Sequence, residues 1–209
     1  MIKKLLDTIG EKYPLTEKTN VKKLKVGGMK FDITSFDAEG LGHVSVMTGK
    51  FPLGLMKMDT VMVNPSDVEL PLYLYDRIYA LGNDTLIVEM YDTFSCDSFS
   101  MPDVKKEYSD VPERDPGEHW YDSIKLKESI SKKGKKLNTP RIDELAQRHF
   151  EEYLGAAKPT LDKEAKAKKA SDYVEGLLSK GGPSTDSFIK ALGREKTAEI
   201  FREVLFGTK

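Results

Sequence analysis

Up to about Phe94 the apolar residues of this chain recur at strand spacing between turn signals, and beyond Pro140 they recur three and four apart. That change of period is the strongest constraint on what the chain can fold into. From Val21 onward the segments LKVGGMKFDITSF, GHVSVMTGKF, MDTVMVNP and LPLYLYDRIYALGNDTLIVEMYDT are rich in β-branched and aromatic residues. Gly28, Gly49, Asn64-Pro65 and Gly82-Asn83 punctuate them. Short successive connections predict an antiparallel meander. A turn at Gly82-Asn83-Asp84 makes a hairpin with Asp76 on one strand and Asp92 near the end of the other. Past Pro140, IDELAQRHFEEYL, LDKEAKAKKASDYVEGLLSK and STDSFIKALGREKTAEIFREVLF read as helices, with Ser184 as an N-cap. Strands followed by helices predict an α+β domain in which helices cover an antiparallel sheet. Between Met101 and Pro140, four prolines and many polar residues predict a long irregular excursion that serves as a lid or an edge covering.

With 209 residues, 39% hydrophobic and 32% charged, the chain is expected to fold as one domain over residues 1–209. The first residues, MIKKLLDTIGEKYPL, fit a short amphipathic helix and neither a signal peptide nor a membrane span. A formal net charge of -1 supplies no overall field for nucleic acid or an anionic membrane, so neither is expected as a partner and any basic surface must be local. The one cysteine, Cys96, excludes an intrachain disulfide and an all-cysteine metal site, and a reducing cytoplasm is the natural setting. His43, His119 and His149 lack the short spacings of zinc motifs, so no metal is expected. VGGMKF and SKGGPS carry paired glycines without a nucleotide-binding pattern, and no G-x-S-x-G elbow is present. KLKESISKKGKKLNTPR, with six lysines and one arginine, is either a solvated loop or a docking segment for an acidic partner or anionic ligand.

Two acids stand out. Asp59 in LMKMDTVMV and Asp76 in LYLYDRI interrupt apolar strands. A buried carboxylate costs free energy unless it is paired, hydrogen-bonded or protonated. The plain alternative for Asp76 is a solvated position at a sheet edge, paired with Arg77 or another base.

The run TVMVNPSDVELPLYLYDRIYALGNDTLIVEMYD resembles the central strands of the ferredoxin-dependent bilin reductases: a strand ends in a Pro-containing turn, a Leu-Pro follows, and an Asp stands a few residues on. The C-terminal DSFIKALGREKTAEIFREVLFG is similar to that family's terminal helices. The resemblance covers about Gly42 to Phe94 and the last forty or so residues; the plant reductase of red chlorophyll catabolite is a distant relative of that family with the same fold. It implies a three-layer α/β/α sandwich with a central antiparallel sheet, an open-chain tetrapyrrole held between the sheet and the C-terminal helices, and no bound cofactor. Reduced ferredoxin, or flavodoxin in its place, is the implied external electron donor.

With Leu70-Pro71 matched, Asp76 falls on the family's catalytic aspartate and is the implied proton donor, with Asp59 as a second polar contact to the pyrrole nitrogens. Tyr73 and Tyr75 are candidates to wall the flat ligand, and His43 to contact it. The chain also departs from the pattern. Asp59 stands where biliverdin-reducing members commonly have a His, the stretch His43-Val44-Ser45 has no Glu, and Gly181-Gly182-Pro183 replaces an Asn-Asp-Pro-like segment that supplies another acid. A protein that binds a tetrapyrrole without reducing it is the alternative. Two expectations follow for the structure: Asp59 and Asp76 project from neighbouring strands to one face beneath the C-terminal helices, and the basic segment Lys125 to Arg141 lies beside the cleft mouth.

Overall fold

The structure, a computed structural model, describes residues 1–94, 99–160, 162–182 and 184–208. Cys96 and Pro183 therefore lie outside the described residues. Seven strands form one antiparallel sheet in sequence order: β1 (Leu15–Val26), β2 (Met29–Ala38), β3 (Gly42–Lys50), β4 (Met56–Pro65), β5 (Leu72–Ala80), β6 (Asn83–Tyr91) and β7 (Ile130–Lys135). Helices α1 (Ile2–Gly10) and α2 (Thr139–Gly155) cover one face. The other face is covered by α3 (Lys163–Lys180), α4 (Thr185–Leu192) and α5 (Arg194–Glu199), which continues as a π-helical turn over Ile200–Leu205. The expected α/β/α sandwich is therefore what the chain forms.

Two separate cores follow from strand parity, because successive side chains point to opposite faces. Val61, Val63, Tyr73 and Tyr75 pack with Ile142, Leu145, Phe150 and Tyr153 of α2. Met47, Met62, Leu72 and Leu74 pack with Tyr173, Val174, Phe188 and Phe201 of the C-terminal layer. Both faces of β4 and β5 are covered, and so these strands read as near-continuous apolar runs.

The excursion before Pro140 is only partly an edge covering. It delivers β7, which pairs with β6 from Asn83↔Lys135 to Val88↔Ile130 and becomes the sheet edge. The sequence ISKKGK reads as polar, yet Ile130, Lys132 and Gly134 are its buried positions. Lys132 is buried because its ammonium donates to the carbonyls of Tyr108 (3.3 Å) and Val111 (2.9 Å) and to Glu113 (2.6 Å). Two further boundaries differ from expectation. β1 begins at Leu15, and the β5–β6 turn is Leu81-Gly82, with Asn83 already in β6.

The C-terminal layer is fastened to the sheet by side chains from two strands. A helix leaves its last carbonyls without intrahelical donors. Here those of Val204, Leu205 and Phe206 accept from His43 Nε2 (2.9 Å), Ser45 Oγ (2.7 Å) and Asn64 Nδ2 (2.7 Å). The next residue, Gly207, has φ +59°, and a side chain there would collide with the His43 ring.

Candidate functional site

Register decides which acids meet. β4 and β5 pair Thr60 with Asp76 and Asp59 with Arg77. Asp76 shares its face with Leu72 and Leu74, under the C-terminal helices, whereas Asp59 shares its face with Val61 and Val63, under α2. The expectation that Asp59 and Asp76 project to one face beneath the C-terminal helices is overturned: they lie on opposite faces because they occupy odd and even positions of paired strands. Asp59 is buried, with one carboxylate oxygen 2.5 Å from Lys57 Nζ, and its cross-strand neighbour Arg77 is held by Asp84. The group beside Asp76 is instead Thr60, whose hydroxyl donates to Asp76 Oδ1 at 2.5 Å.

Tyr73 and Tyr75 are also turned away. Both have odd parity on β5 and sit fully buried in the α2 core. The Tyr73 hydroxyl donates to Nδ1 of His149 at 3.1 Å and its ring lies 4.5 Å from that of Tyr153. His43 is on the right face but is engaged by the Val204 carbonyl. Burial lowers its pKa, so the neutral imidazole acts there as a structural donor.

Asp76 opens into a cleft between the sheet and the C-terminal helices. Met47, Met58, Met62 and Leu74 form an apolar floor, and Tyr121, Tyr173, Phe201 and Phe206 form the opposing side. The cavity inside the cleft is about 90 Å³, below the roughly 300–1,000 Å³ typical of small-molecule sites, so a ligand of that size enters only if the side chains lining it move aside. Methionine adapts to irregular shapes and polarises easily against conjugated rings. The aromatic side is braced by Tyr91, whose ring centroid lies 4.5 Å from Tyr173 and 5.4 Å from Tyr121.

One acid in this cleft was missed by the sequence reading. Glu89 on β6 lines it together with Asp76. Glu89 accepts from the Tyr91 hydroxyl at 2.7 Å and lies 3.9 Å from Lys125 Nζ, whereas the hydrogen bond to Asp76 comes from Thr60. The pKa of Asp76 is pushed from 3.8 up to about 6, chiefly by burial; the Thr60 hydroxyl opposes the rise and the charge of Glu89 adds to it. A carboxylic acid so placed holds a proton close to neutral pH and can release it, as a general acid requires. A signal for Glu89 was present: it interrupts TLIVEMY as Asp76 interrupts LYLYD, and the hairpin pairs it with Leu74, two residues from Asp76 on the same face.

The basic segment does not form one patch at the cleft mouth. Lys125 adjoins the cleft through Glu89 and Asp122. Lys132 is buried on the α2 face, and Arg141 lies on α2 itself, paired with Asp110 and Glu144. The segment passes through two layers, and its charges separate. Among the described residues no three of His, Cys, Asp and Glu converge as metal ligands, and no helix is long and apolar enough to cross a membrane.

No family model matches the sequence, and no curated protein matches it. Among solved structures, that of phytochromobilin synthase from tomato in complex with biliverdin superposes with a TM-score of 0.76. The likeness covers 99% of this chain and 82% of that one at 12% sequence identity. At that identity the likeness establishes the fold alone.

Proposed function

We propose that the cleft binds an open-chain tetrapyrrole and that Asp76 supplies a proton to it during reduction by an external one-electron donor of the ferredoxin type. The observation that carries this reading is the state of Asp76: partly buried against an apolar cleft, hydrogen-bonded to Thr60, with a pKa near 6. Its fold neighbour holding biliverdin supports the ligand class. Each two-electron reduction of a bilin consumes two electrons and two protons. After the first electron arrives the ligand becomes more basic and a protonated Asp76 can transfer its proton; reprotonated from solvent at the open mouth of the cleft, Asp76 supplies the second proton after the second electron. A positive pyrrole nitrogen beside the resulting carboxylate would stabilise it, so that the burial which holds the proton beforehand does not obstruct its loss. The methionine floor and the tyrosine side suit a flat conjugated ligand, which the cavity of about 90 Å³ admits as these adaptable side chains move aside.

Binding without reduction is the second reading. It is favoured by the removal of Asp59 to the opposite face and by glycines at 181 and 182 where the resembled family has an acid. Titration with biliverdin, followed by visible absorption and then by anaerobic addition of reduced ferredoxin, separates the two. Catalysis requires a spectral change that depends on ferredoxin. In that case Asp76→Asn keeps binding and slows reduction about a hundredfold to ten-thousandfold, the usual worth of a general acid. A bilin that binds and is never reduced leaves the carrier reading, and a chain that does not bind biliverdin or another linear tetrapyrrole removes both.

A further inference from the structure

In an antiparallel meander alternate connections lie at the same end of the sheet. At one end lie the β1–β2, β3–β4 and β5–β6 turns and the β7–α2 connection. We propose that this end docks on an anionic bilayer surface, with Leu53, Leu81 and Leu137 entering the interfacial layer and the flanking lysines facing the headgroups. The inference is independent of the cleft.

The first observation is the backbone of two leucines. Leu53 has φ 60° and is followed by Gly54 at φ 68°; Leu81 has φ 50° and is followed by Gly82 at φ 74°. Two consecutive left-handed residues at a hairpin tip favour Asn-Gly or Asp-Gly, and an L-residue with a bulky side chain is strained there. The side chains do not offset that strain by packing, for Leu53 is 95% exposed and Leu81 85% exposed. Leu137, on the next connection, is 82% exposed. Single exposed leucines are ordinary. Three at the tips of three connections at one end, two of them in a conformation that leucine disfavours, form an apolar surface that the fold itself does not use.

The second observation is the charge beside them. The register places Lys25 opposite Lys30, Lys30 opposite Lys50, and Lys50 opposite Lys57, a row of like charges across four strands at this same end. Directly opposed like charges destabilise a sheet. Lys57 is compensated by Asp59, but among the described residues no carboxylate lies within ion-pair distance of Lys25, Lys30 or Lys50. Exposed Lys135 and Lys136 continue the basic rim beyond Leu81, and Lys136, Leu55 and Leu81 border one open depression. The net charge of -1 conceals this concentration.

Leucines that stand singly at protruding tips, ringed by lysines, match the layered chemistry of a bilayer surface: apolar below, anionic above. A protein partner would more naturally meet side chains packed into a groove. The contact is peripheral and needs no spanning segment.

The test is co-sedimentation of the full chain with phosphatidylcholine vesicles, with and without about one-third phosphatidylserine, at low and physiological salt. The wild-type chain is expected to sediment with the anionic vesicles, to ignore the neutral ones, and to be released by salt. Leu53→Asn combined with Leu81→Asn places the preferred Asn-Gly pair in both turns, so folding is preserved or improved, as a thermal unfolding scan will report; vesicle partitioning should fall at least tenfold. Lys30→Gln and Lys50→Gln should each cost about fivefold. A wild-type chain that stays in the supernatant with anionic vesicles, or a folded double-Asn variant that binds as well as wild type, overturns the proposal. So does a chain that ignores vesicles and binds an acidic polypeptide through the lysine row, which would make this surface a protein interface.

Discussion

Replacing Asp76 with Asn should stabilise the fold at neutral pH and not at acid pH, and the size of the effect follows from the position of the carboxyl. The Thr60 hydroxyl can still donate to the amide oxygen, so the hydrogen bond survives while the buried charge is removed. In the folded chain the pKa of Asp76 is raised from 3.8 to about 6. Below about pH 4 the group is protonated in both folded and unfolded chains, and its ionisation contributes nothing to the difference. Between about pH 4 and pH 6 the native state keeps a proton that the unfolded chain has released, so wild-type stability falls as pH rises through this window. Above about pH 6 both states are ionised and the whole penalty is present. At roughly 1.4 kcal/mol per pH unit the penalty is at most about 3 kcal/mol, an upper value because Asp76 is partly open to the cleft. Urea unfolding of wild type and Asp76→Asn from about pH 4 to pH 8 measures it, since titrating groups that do not interact with Asp76 cancel in the difference. An advantage of the variant that grows by about 2–3 kcal/mol across that window is expected. A pH-independent offset would refute the raised pKa, and with it the reason for choosing Asp76 as the proton donor.

Other consequences are sharp enough to check. Glu89→Gln removes the like charge beside Asp76, so the same stability window should move to lower pH in that background; an unchanged window would place Glu89 outside the electrostatics of the cleft. Asp59→Asn should leave bilin binding and any turnover within about twofold of wild type, because the residue faces α2; a loss comparable to that of Asp76→Asn would contradict the strand register. His149, whose pKa burial lowers to about 4, stays neutral in the fold while the unfolded chain protonates near pH 6.5, so stability is lost as pH falls from about 6.5 to 4; His149→Gln should flatten that acid limb in a urea series. Gly207→Ala meets both a left-handed φ and the His43 ring, and a loss of more than about 1 kcal/mol in the urea midpoint is expected.

The layers of the fold were legible because each rests on a local signal. The strand period, the punctuating glycines and the helical period after Pro140 each fix an element, and strands in succession with short connections fix their neighbours. β7 was not legible, since Lys132 occupies an inward position that only distant carbonyls make tolerable. The leucines of the two left-handed turns ran against turn preference in the same way: Leu81-Gly82 forms the turn that sequence logic assigned to Gly82-Asn83-Asp84.

The composition of the site turned on a single parity. Asp76 and Glu89 are joined through a two-residue hairpin, and that short turn fixes their register, so their common face follows from the sequence once the turn is set correctly. Asp59 and Asp76 belong to strands joined by the longer connection through Ser66 to Pro71, which fixes no register by itself. A shift of one residue moves a side chain from one face of the sheet to the other. Here the observed register brings Thr60 to Asp76 and Asp59 to the Arg77 side. The position across the strands from the raised acid holds a neutral donor where Asp59 was the expectation. A carboxylate at that position would raise the pKa of Asp76 further, and a cation would lower it, whereas a hydroxyl opposes the rise only by one hydrogen bond. Replacing Thr60 with Val, which keeps the shape and removes that bond, should therefore raise the pKa of Asp76 and carry the stability window to higher pH. A window that stays in place would mean that the Thr60 hydroxyl does not bear on the protonation of Asp76, and that the cleft tunes its acid by burial and Glu89 alone.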